Sequence, residues 1–200
     1  MLIKTLPVGQ LETNCYVVTD EDSLDCAVID PGDESGTILD YLEDNKLHCR
    51  AVLLTHAHFD HVGAANALLE ATGARLYMCE KELELVKGGA SGRFTVPEDV
   101  KYYRDGDTVE VGGLRFEVME TPGGVTLRCG EALFTGDTLF RGSCGRTDFA
   151  GGDMRQELRS LKRIAELPGD YEVYPGHAES SMLSIEREHN PYVRHALEKM

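Results

Sequence analysis

The sequence of 200 residues is long enough to bury one hydrophobic core, and its length favours one domain, residues 1–200, over two. Its formal net charge of −15 disfavours nucleic acids and anionic membranes as partners. No stretch approaches the roughly 20 apolar residues of a membrane span, and the six cysteines include no C-x-x-C pair. We therefore expect a soluble, cytoplasmic protein with reduced cysteines, whose oligomeric state the sequence leaves open.

Predicted strands and helices alternate in the first half of the sequence. LIKTL, NCYVVT and CAVIDPG have the composition of strands, and the third ends in the turn Asp30-Pro31-Gly32. Helical spacing of apolar residues predicts a helix over residues 37–45, and AVLLTH returns to a strand. GAANALLEATG predicts a helix that ends at Gly73, followed by the strand ARLYM and the short helix EKELELV.

A Gly-rich stretch, residues 87–108, is predicted to be a loop, in which Tyr102 and Tyr103 are candidates to line a pocket. Three strands follow it, LRFEVMET, VTLRC and ALFTGD, and then a helix capped by Asp153. YEVYPGH is the last predicted strand, and the remaining residues are helical around Pro191. Strands in two groups with helices between and after them predict a layered α/β domain, an αββα sandwich.

Three histidines and one aspartate lie within residues 56–61, directly after an apolar run. His56 and His58 stand two apart, so that in an extended backbone their rings point to the same side, while Asp60 and His61 follow at the turn. Burying these four groups without a cation would be costly, and zinc, iron and manganese all accept imidazole and carboxylate ligands. The cluster therefore indicates a metal site.

Two further residues have the same kind of position. Asp137 in LFTGDTLF and His177 in VYPGH each end an apolar strand at a turn that contains glycine. Because strand ends collected at one edge of a sheet are where sites are built, we expect both residues to join the cluster.

The motifs THAHFDH, FTGDTLF and YPGH, in this order, resemble the metallo-β-lactamase superfamily over almost the whole chain. The resemblance implies an αββα sandwich with a site for one or two metal ions, zinc first, with iron or manganese as alternatives. It also implies two metal positions: His56 and His58 form the first, Asp60, His61 and His177 form the second, and Asp137 bridges both.

Within that superfamily, GDTLFRGSCGRTDFAGGD and VGQLETNCYVV look most like the small glyoxalase II, or hydroxyacylglutathione hydrolase-like, proteins. This likeness implies hydrolysis of a thioester such as S-lactoylglutathione by a metal-bound hydroxide, with Asp60 as a catalytic residue. Larger glyoxalase II enzymes add a C-terminal helical domain that contributes to the site of the thiol carrier, for which this sequence has no counterpart. The acyl group and the thiol carrier therefore stay open.

The sequence departs from the family pattern T-P-G-H-T-P-G, because Gly123 is followed directly by Gly124. A short deletion is the simplest account, and bonded residues would have Cα atoms about 3.8 Å apart, whereas a longer separation would indicate a segment absent from the sequence as given. A true deletion removes a histidine from the first metal position, which water or a neighbour such as Glu120 would have to complete. We therefore expect about one tightly held ion per chain.

Two other functions stay open. Persulfide dioxygenases resemble this group and hold one iron ion by two histidines and an aspartate, and a metal-binding protein that has lost catalysis is the third possibility. Asp148 is a candidate to orient a ligating histidine, while Cys144 is as easily packed as reactive. Three arginines are better interpreted as partners in surface or structural ion pairs than as substrate ligands: Arg141, Arg146 and Arg187.

Overall fold

Two six-stranded β-sheets pack face to face in the computed structural model, which describes residues 1–147 and 153–199. The strands of the first sheet lie side by side in chain order, antiparallel from β1 to β3 and parallel from β3 to β6. They are β1 (Leu2–Val8), β2 (Thr13–Thr19), β3 (Asp25–Ile29), β4 (His48–Leu53), β5 (Arg75–Cys79) and β6 (Lys101–Tyr103).

The second sheet has the order β14-β13-β10-β9-β8-β7, in which β10 and β13 are parallel. Its strands are β7 (Thr108–Val111), β8 (Leu114–Thr121), β9 (Gly124–Cys129), β10 (Ala132–Gly136), β13 (Glu172–Pro175) and β14 (Ser181–Met182). A separate two-stranded ribbon consists of β11 (Leu139–Phe140) and β12 (Ser143–Cys144).

Helices cover the outer face of each sheet. The first sheet carries α1 (Ser35–Asp44), α2 (Phe59–Val62), α3 (Ala65–Thr72) and α4 (Leu83–Lys87), which a 3-10 turn at Glu80–Glu82 precedes. The second carries α5 (Met154–Ala165), α6 (Leu183–His189) and α7 (Pro191–Lys199). This arrangement confirms the predicted αββα sandwich.

Alternation along the strands divides the core into three layers. Tyr16 and Val18 of β2 lie between the sheets, whereas Val17 faces the helices that cover the first sheet. In β10, Phe134 lies between the sheets and Leu133 faces α5 to α7. Because both faces of these strands are buried, apolar residues follow one another directly in them, CYVV in β2 and ALF in β10.

Local signals in the sequence also correspond to the observed ends of helices. Gly73 has φ 68° and its N–H donates to the Leu69 carbonyl at 2.9 Å, as a helix C-cap does. Asp153 accepts hydrogen bonds from the Arg155 and Gln156 N–H groups at the start of α5, and Pro191 begins α7.

The predicted loop over residues 87–108 was partly wrong, because β6 lies within it and β7 begins at its end. Strand β6 pairs over three residues only, too few to produce a periodic pattern. Tyr103 anchors this strand: its side chain is buried and its hydroxyl donates to the Leu54 carbonyl. Tyr102 is exposed.

Six cysteines are all buried and free of disulfides, as predicted. Among the described residues, no helix combines the length and the apolar composition that a membrane span requires.

We predict that Phe134→Ala lowers the free energy of unfolding by about 3–5 kcal/mol, because the ring is fully buried between the sheets and packs on Tyr16 and Tyr174. Phe59→Ala is the matched control, since that ring is 55% exposed and its loss should cost about 0.5 kcal/mol or less. Denaturant titration measures both values. Equal losses would contradict the proposed inter-sheet core.

Candidate metal centre

One edge of the sandwich collects all six residues that the sequence singled out. His56 and His58 follow β4, and Asp60 and His61 lie on α2 directly after them. Asp137 follows β10, and His177 follows β13. These strands belong to the parallel parts of the two sheets, so that their carboxyl ends bring the side chains together.

Asp60, His61 and His177 form one trio whose ligand atoms all lie within 4.8 Å of one another. His177 Nε2 is 3.2 Å and His61 Nε2 is 3.7 Å from Asp60 Oδ2. Donors bound tetrahedrally to one zinc ion at roughly 2.1 Å are about 3.4 Å apart, so the trio has the spacing of a shared ion.

His56, His58 and Asp137 form a second trio within the same limit of 4.8 Å. The two imidazole rings are nearly perpendicular, with centroids 4.7 Å apart, and His56 Nε2 lies 3.8 Å from Asp137 Oδ2. This trio corresponds to the first metal position that the resemblance implies.

Asp137 is a member of the second trio, and its two carboxylate oxygens face different trios. Oδ2 faces His56, while Oδ1 lies 3.4 Å from His61 Nε2 and 3.8 Å from His177 Nε2. A carboxylate that presents one oxygen to each trio has the geometry of a bridging ligand.

Hydrogen bonds on the far side of three rings leave each Nε2 atom aimed into the cluster. His61 Nδ1 lies 3.1 Å from Asp30 Oδ2, and His177 Nδ1 lies 3.1 Å from the Leu11 carbonyl oxygen, so both Nδ1 atoms donate. The Thr55 hydroxyl donates to Asp30 and lies 3.0 Å from His56 Nδ1, which therefore donates to the hydroxyl. Such partners fix the tautomer that a metal-binding histidine requires.

Buried polar atoms without a hydrogen-bond partner lie in the same cluster. His56 Nε2, His61 Nε2 and Asp137 Oδ1 are buried and have no hydrogen-bond partner within the described part of the chain. Buried polar atoms are nearly always paired, and imidazole nitrogen with carboxylate oxygen is a donor set that zinc and iron accept. The residues present therefore fit a metal ion.

The pKa values of the histidines diverge in the absence of a cation. Burial, with the charge of His61, lowers the pKa of His56 to about 3. Burial also opposes charge on His61, but the carboxylates of Asp137 and Asp30 raise its pKa to about 10. For Asp137, burial raises the pKa, but the nearby imidazoles of His61, His56 and His177 outweigh it and lower the pKa. Without a cation, the surroundings therefore favour a proton on His61 and disfavour one on His56.

Two glycines allow the close approach of the strand ends. A Cβ on Gly136 would clash with the Thr55 side chain, and a Cβ on Gly176 would clash with Asp137 Oδ1. Any larger residue at these positions would displace the groups that line the site.

The hairpin between β8 and β9 turns tightly at the position where the family pattern has a histidine. Thr121 pairs with Gly124, and Pro122 and Gly123 form the turn, with φ 101° at Gly123. Val125 N–H then donates to the Thr55 carbonyl at 2.8 Å, which ties the hairpin to the residue before His56. Glu120, the suggested replacement donor, instead forms an ion pair with Lys81.

Two of the arginines for which the sequence favoured structural contacts over a substrate do have such contacts. Arg141 pairs with Glu179, and Arg187 donates to the carbonyls of Ala165, Leu167 and Gly169. Cys144 is buried. Asp148, the residue expected to orient a ligating histidine, lies outside the described residues.

Sequence reasoning missed Asp30, which the structure assigns to the orienting role for His61. Its side chain is 2% exposed and accepts from Thr55 N–H at 2.7 Å, from the Thr55 hydroxyl at 2.6 Å and from His61 Nδ1. The signal available was a carboxylate at the end of an apolar strand, the same signal that identified Asp137. Asn14 was also missed, although it fixes the His177 loop through the Pro175 and Ala178 carbonyls.

We predict that Asp30→Asn weakens metal binding at the trio of Asp60, His61 and His177 by about 10- to 100-fold, because His61 loses its charged acceptor. Competition with a chromogenic chelator measures the change. Asp33→Asn is the control, an exposed aspartate three residues away. Equal affinities for the two variants would contradict the role of Asp30.

Comparison with known proteins matches residues 8–177 to the sequence model of the metallo-beta-lactamase superfamily. An uncharacterized protein of Aquifex aeolicus (strain VF5) is 38% identical, covering 96% of this chain and 97% of the relative. Hydroxyacylglutathione hydrolase GloC of Haemophilus influenzae is 31% identical, covering 96% of this chain and 98% of that protein.

Solved structures give the same result. BLEG-1, a B3 metallo-beta-lactamase, has TM-score 0.87 and 31% identity, covering 96% of this chain and 99% of that chain. TTHA1623 in a di-iron-bound form has TM-score 0.83 and 35% identity, covering 94% and 99%. ETHE1 from Myxococcus xanthus has TM-score 0.81 and 28% identity, covering 99% and 91%. The chain therefore belongs to the metallo-β-lactamase superfamily.

Proposed function

We propose that the protein is a metal-dependent hydrolase that cleaves a thioester of a small thiol, such as S-lactoylglutathione, with zinc as its metal. The observation that carries the proposal is the pair of adjacent trios with Asp137 between them and with the Nε2 atoms of His56 and His61 buried and free for an ion. The likeness to GloC over nearly the full length of both proteins supports a thioester substrate. We also propose a cytoplasmic location, in keeping with six free cysteines.

A metal ion in this site would polarise the substrate carbonyl and lower the pKa of an attacking water. Asp60 is the residue of the chain best placed to accept a proton there. Burial opposes its charge, but the hydrogen bond from His177 and the charge of His61 lower the pKa of Asp60, so that its carboxylate stays ionised. The Thr13 hydroxyl, 3.4 Å away, and His177 hold that carboxylate in place.

A side-chain nucleophile is a poorer explanation of hydrolysis. Cys144 is the cysteine that the sequence brings nearest to the site motifs, and burial raises its pKa to about 12, which keeps the thiol protonated at neutral pH. The sequence also lacks the G-x-S-x-G elbow of serine hydrolases.

A cavity next to the β8–β9 hairpin offers space for the remainder of a substrate. This cavity of ≈ 330 Å³ is lined in part by Tyr103, Glu120 and Val125, and Val125 is the residue that bonds to Thr55. Its size is at the lower end of the range for small-molecule sites. We propose that the thiol carrier extends in this direction.

Persulfide oxidation is a second candidate function, which one observation favours. The trio of His56, His58 and Asp137 offers two histidines and one carboxylate, the ligand set of many non-haem iron oxygenases. The structural neighbour TTHA1623, solved in a di-iron-bound form, adds weight to iron as the metal.

Assays of zinc-loaded and iron-loaded protein separate the two functions. Hydrolysis of S-lactoylglutathione by the zinc form supports the proposal, while oxygen consumption with glutathione persulfide by the iron form alone supports the second candidate. Metal binding without either activity would indicate a binding protein.

We predict that Asp60→Ala reduces hydrolysis at least about 100-fold while the fold persists, because the residue lies at the site edge rather than in the core. Turnover of S-lactoylglutathione and thermal unfolding measure the two effects. Asp40→Ala, on the exposed side of α1, is the control. Activity of Asp60→Ala within a few-fold of the parent would remove Asp60 from the mechanism.

We predict about one tightly bound ion per chain after dialysis, with a second bound weakly. The trio of Asp60, His61 and His177 gains a fourth donor from Asp137, whereas His56 and His58 have only a share of that carboxylate. Insertion of His-Thr-Pro-Gly after Gly123 should raise both the metal content and the rate of hydrolysis. Elemental analysis that finds two tight ions in the parent, unchanged by the insertion, would contradict this account.

A further inference from the structure

Glu82 is a buried acid outside the cluster of proposed ligands. Its side chain is 5% exposed, and one carboxylate oxygen accepts the Ala57 N–H at 3.0 Å. That N–H is the one donor to Glu82 among the described residues, whereas buried Glu186 accepts from Gly142 N–H, the Ser181 hydroxyl and the Asn190 amide. A buried carboxylate with a single donor is costly to keep, which raises the question of what it does.

Ala57 stands between His56 and His58, and both polar groups of its backbone are held from one segment, residues 80–91. Glu82 binds the Ala57 N–H, and the Ser91 hydroxyl donates to the Ala57 carbonyl. Ser91 is 2% exposed, so water does not compete for this contact.

These two hydrogen bonds fix consecutive peptide planes. The Ala57 N–H belongs to the peptide that joins it to His56, and the Ala57 carbonyl belongs to the peptide that joins it to His58. Because each peptide is planar, holding both planes restrains the φ and ψ angles of Ala57 and thereby the backbone from which the two imidazole rings project. The two rings are nearly perpendicular, with centroids 4.7 Å apart.

We infer that Glu82 is a positioning residue that, together with Ser91, holds His56 and His58 in the arrangement required to bind one metal ion. The inference rests on the proposed metal-dependent function. It matters most for the first position, because within residues 1–147 and 153–199 the trio at that position consists of these two histidines and Asp137. A position with few donors depends strongly on how well its remaining donors are oriented.

Zinc titration of the metal-free protein against a chromogenic chelator tests this inference, with cobalt absorption spectra as a second readout. Glu82→Met keeps the volume but removes the acceptor, and it should weaken the first position by about 10- to 100-fold while the second is unchanged. Glu82→Gln keeps an oxygen that can accept the Ala57 N–H, and its affinity should stay within about threefold of the parent. His58→Ala and His177→Ala identify which binding step belongs to which position.

Glu84→Met is the matched control, because that side chain is 83% exposed and lies two residues from Glu82. Unchanged affinity in Glu82→Met, or equal losses in the Met and Gln variants, would overturn the inference. If Glu82→Met does not fold, Ser91→Ala is measured instead. A loss of about 10- to 100-fold in zinc affinity at the first position in Ser91→Ala supports the inference, and unchanged affinity overturns it. If the parent protein binds no divalent ion, the proposed function itself is overturned. If the parent binds metal and the substitutions leave its affinity unchanged, only the inference about Glu82 is overturned.

Discussion

Charge conflict within a buried cluster is the constraint on which the rest of the structure depends. His56 and His61 have ring centroids 4.0 Å apart, and protonation of both would place two positive charges together away from water. The pKa of His56 is lowered and the pKa of His61 is raised, so a proton is favoured on His61 and disfavoured on His56. A divalent ion would relieve the conflict, because neutral imidazoles and ionised carboxylates are its ligands.

The first sheet supports the ligands from both sheets through contacts of buried side chains. Asp30 at the end of β3 orients His61, and Asn14 of β2 fixes the loop that carries His177. Each contact joins parts of the chain that are distant in sequence. The tight hairpin at Pro122 and Gly123 makes the two proposed positions unequal, since it offers no donor to the first. Unequal positions are compatible with either of the proposed functions, hydrolysis with zinc or oxidation with iron. The identity of the bound metal therefore distinguishes the two functions better than the geometry does.

Much of the fold could be predicted from the sequence because its signals are local. Continuous apolar runs identified strands buried on both faces, and Gly73, Asp153 and Pro191 marked helix ends correctly. Strand β6 escaped prediction because three residues carry no periodic pattern, and it is held by the contact of Tyr103 with Leu54.

Residues of the candidate site could likewise be predicted where their sequence signal is local and not where it depends on distant partners. The six proposed ligands stand in compact motifs, so sequence reasoning could name them. Asp30 was missed although it ends an apolar strand, as Asp137 does. Glu82 could not be identified, because its partner Ala57 is 25 residues away and becomes a neighbour only through the parallel strands. An acidic residue in an ordinary helical or turn sequence gives no sign that its carboxylate is buried.

Anomalous X-ray diffraction from crystals grown with zinc, recorded at the zinc absorption edge, tests the central claim most directly. The account predicts a strong peak about 2.1 Å from donor atoms of Asp60, His61, His177 and Asp137, and a weaker peak between His56 and His58. The absence of a peak at this edge of the sandwich, with the histidines and carboxylates paired to one another instead, would contradict it.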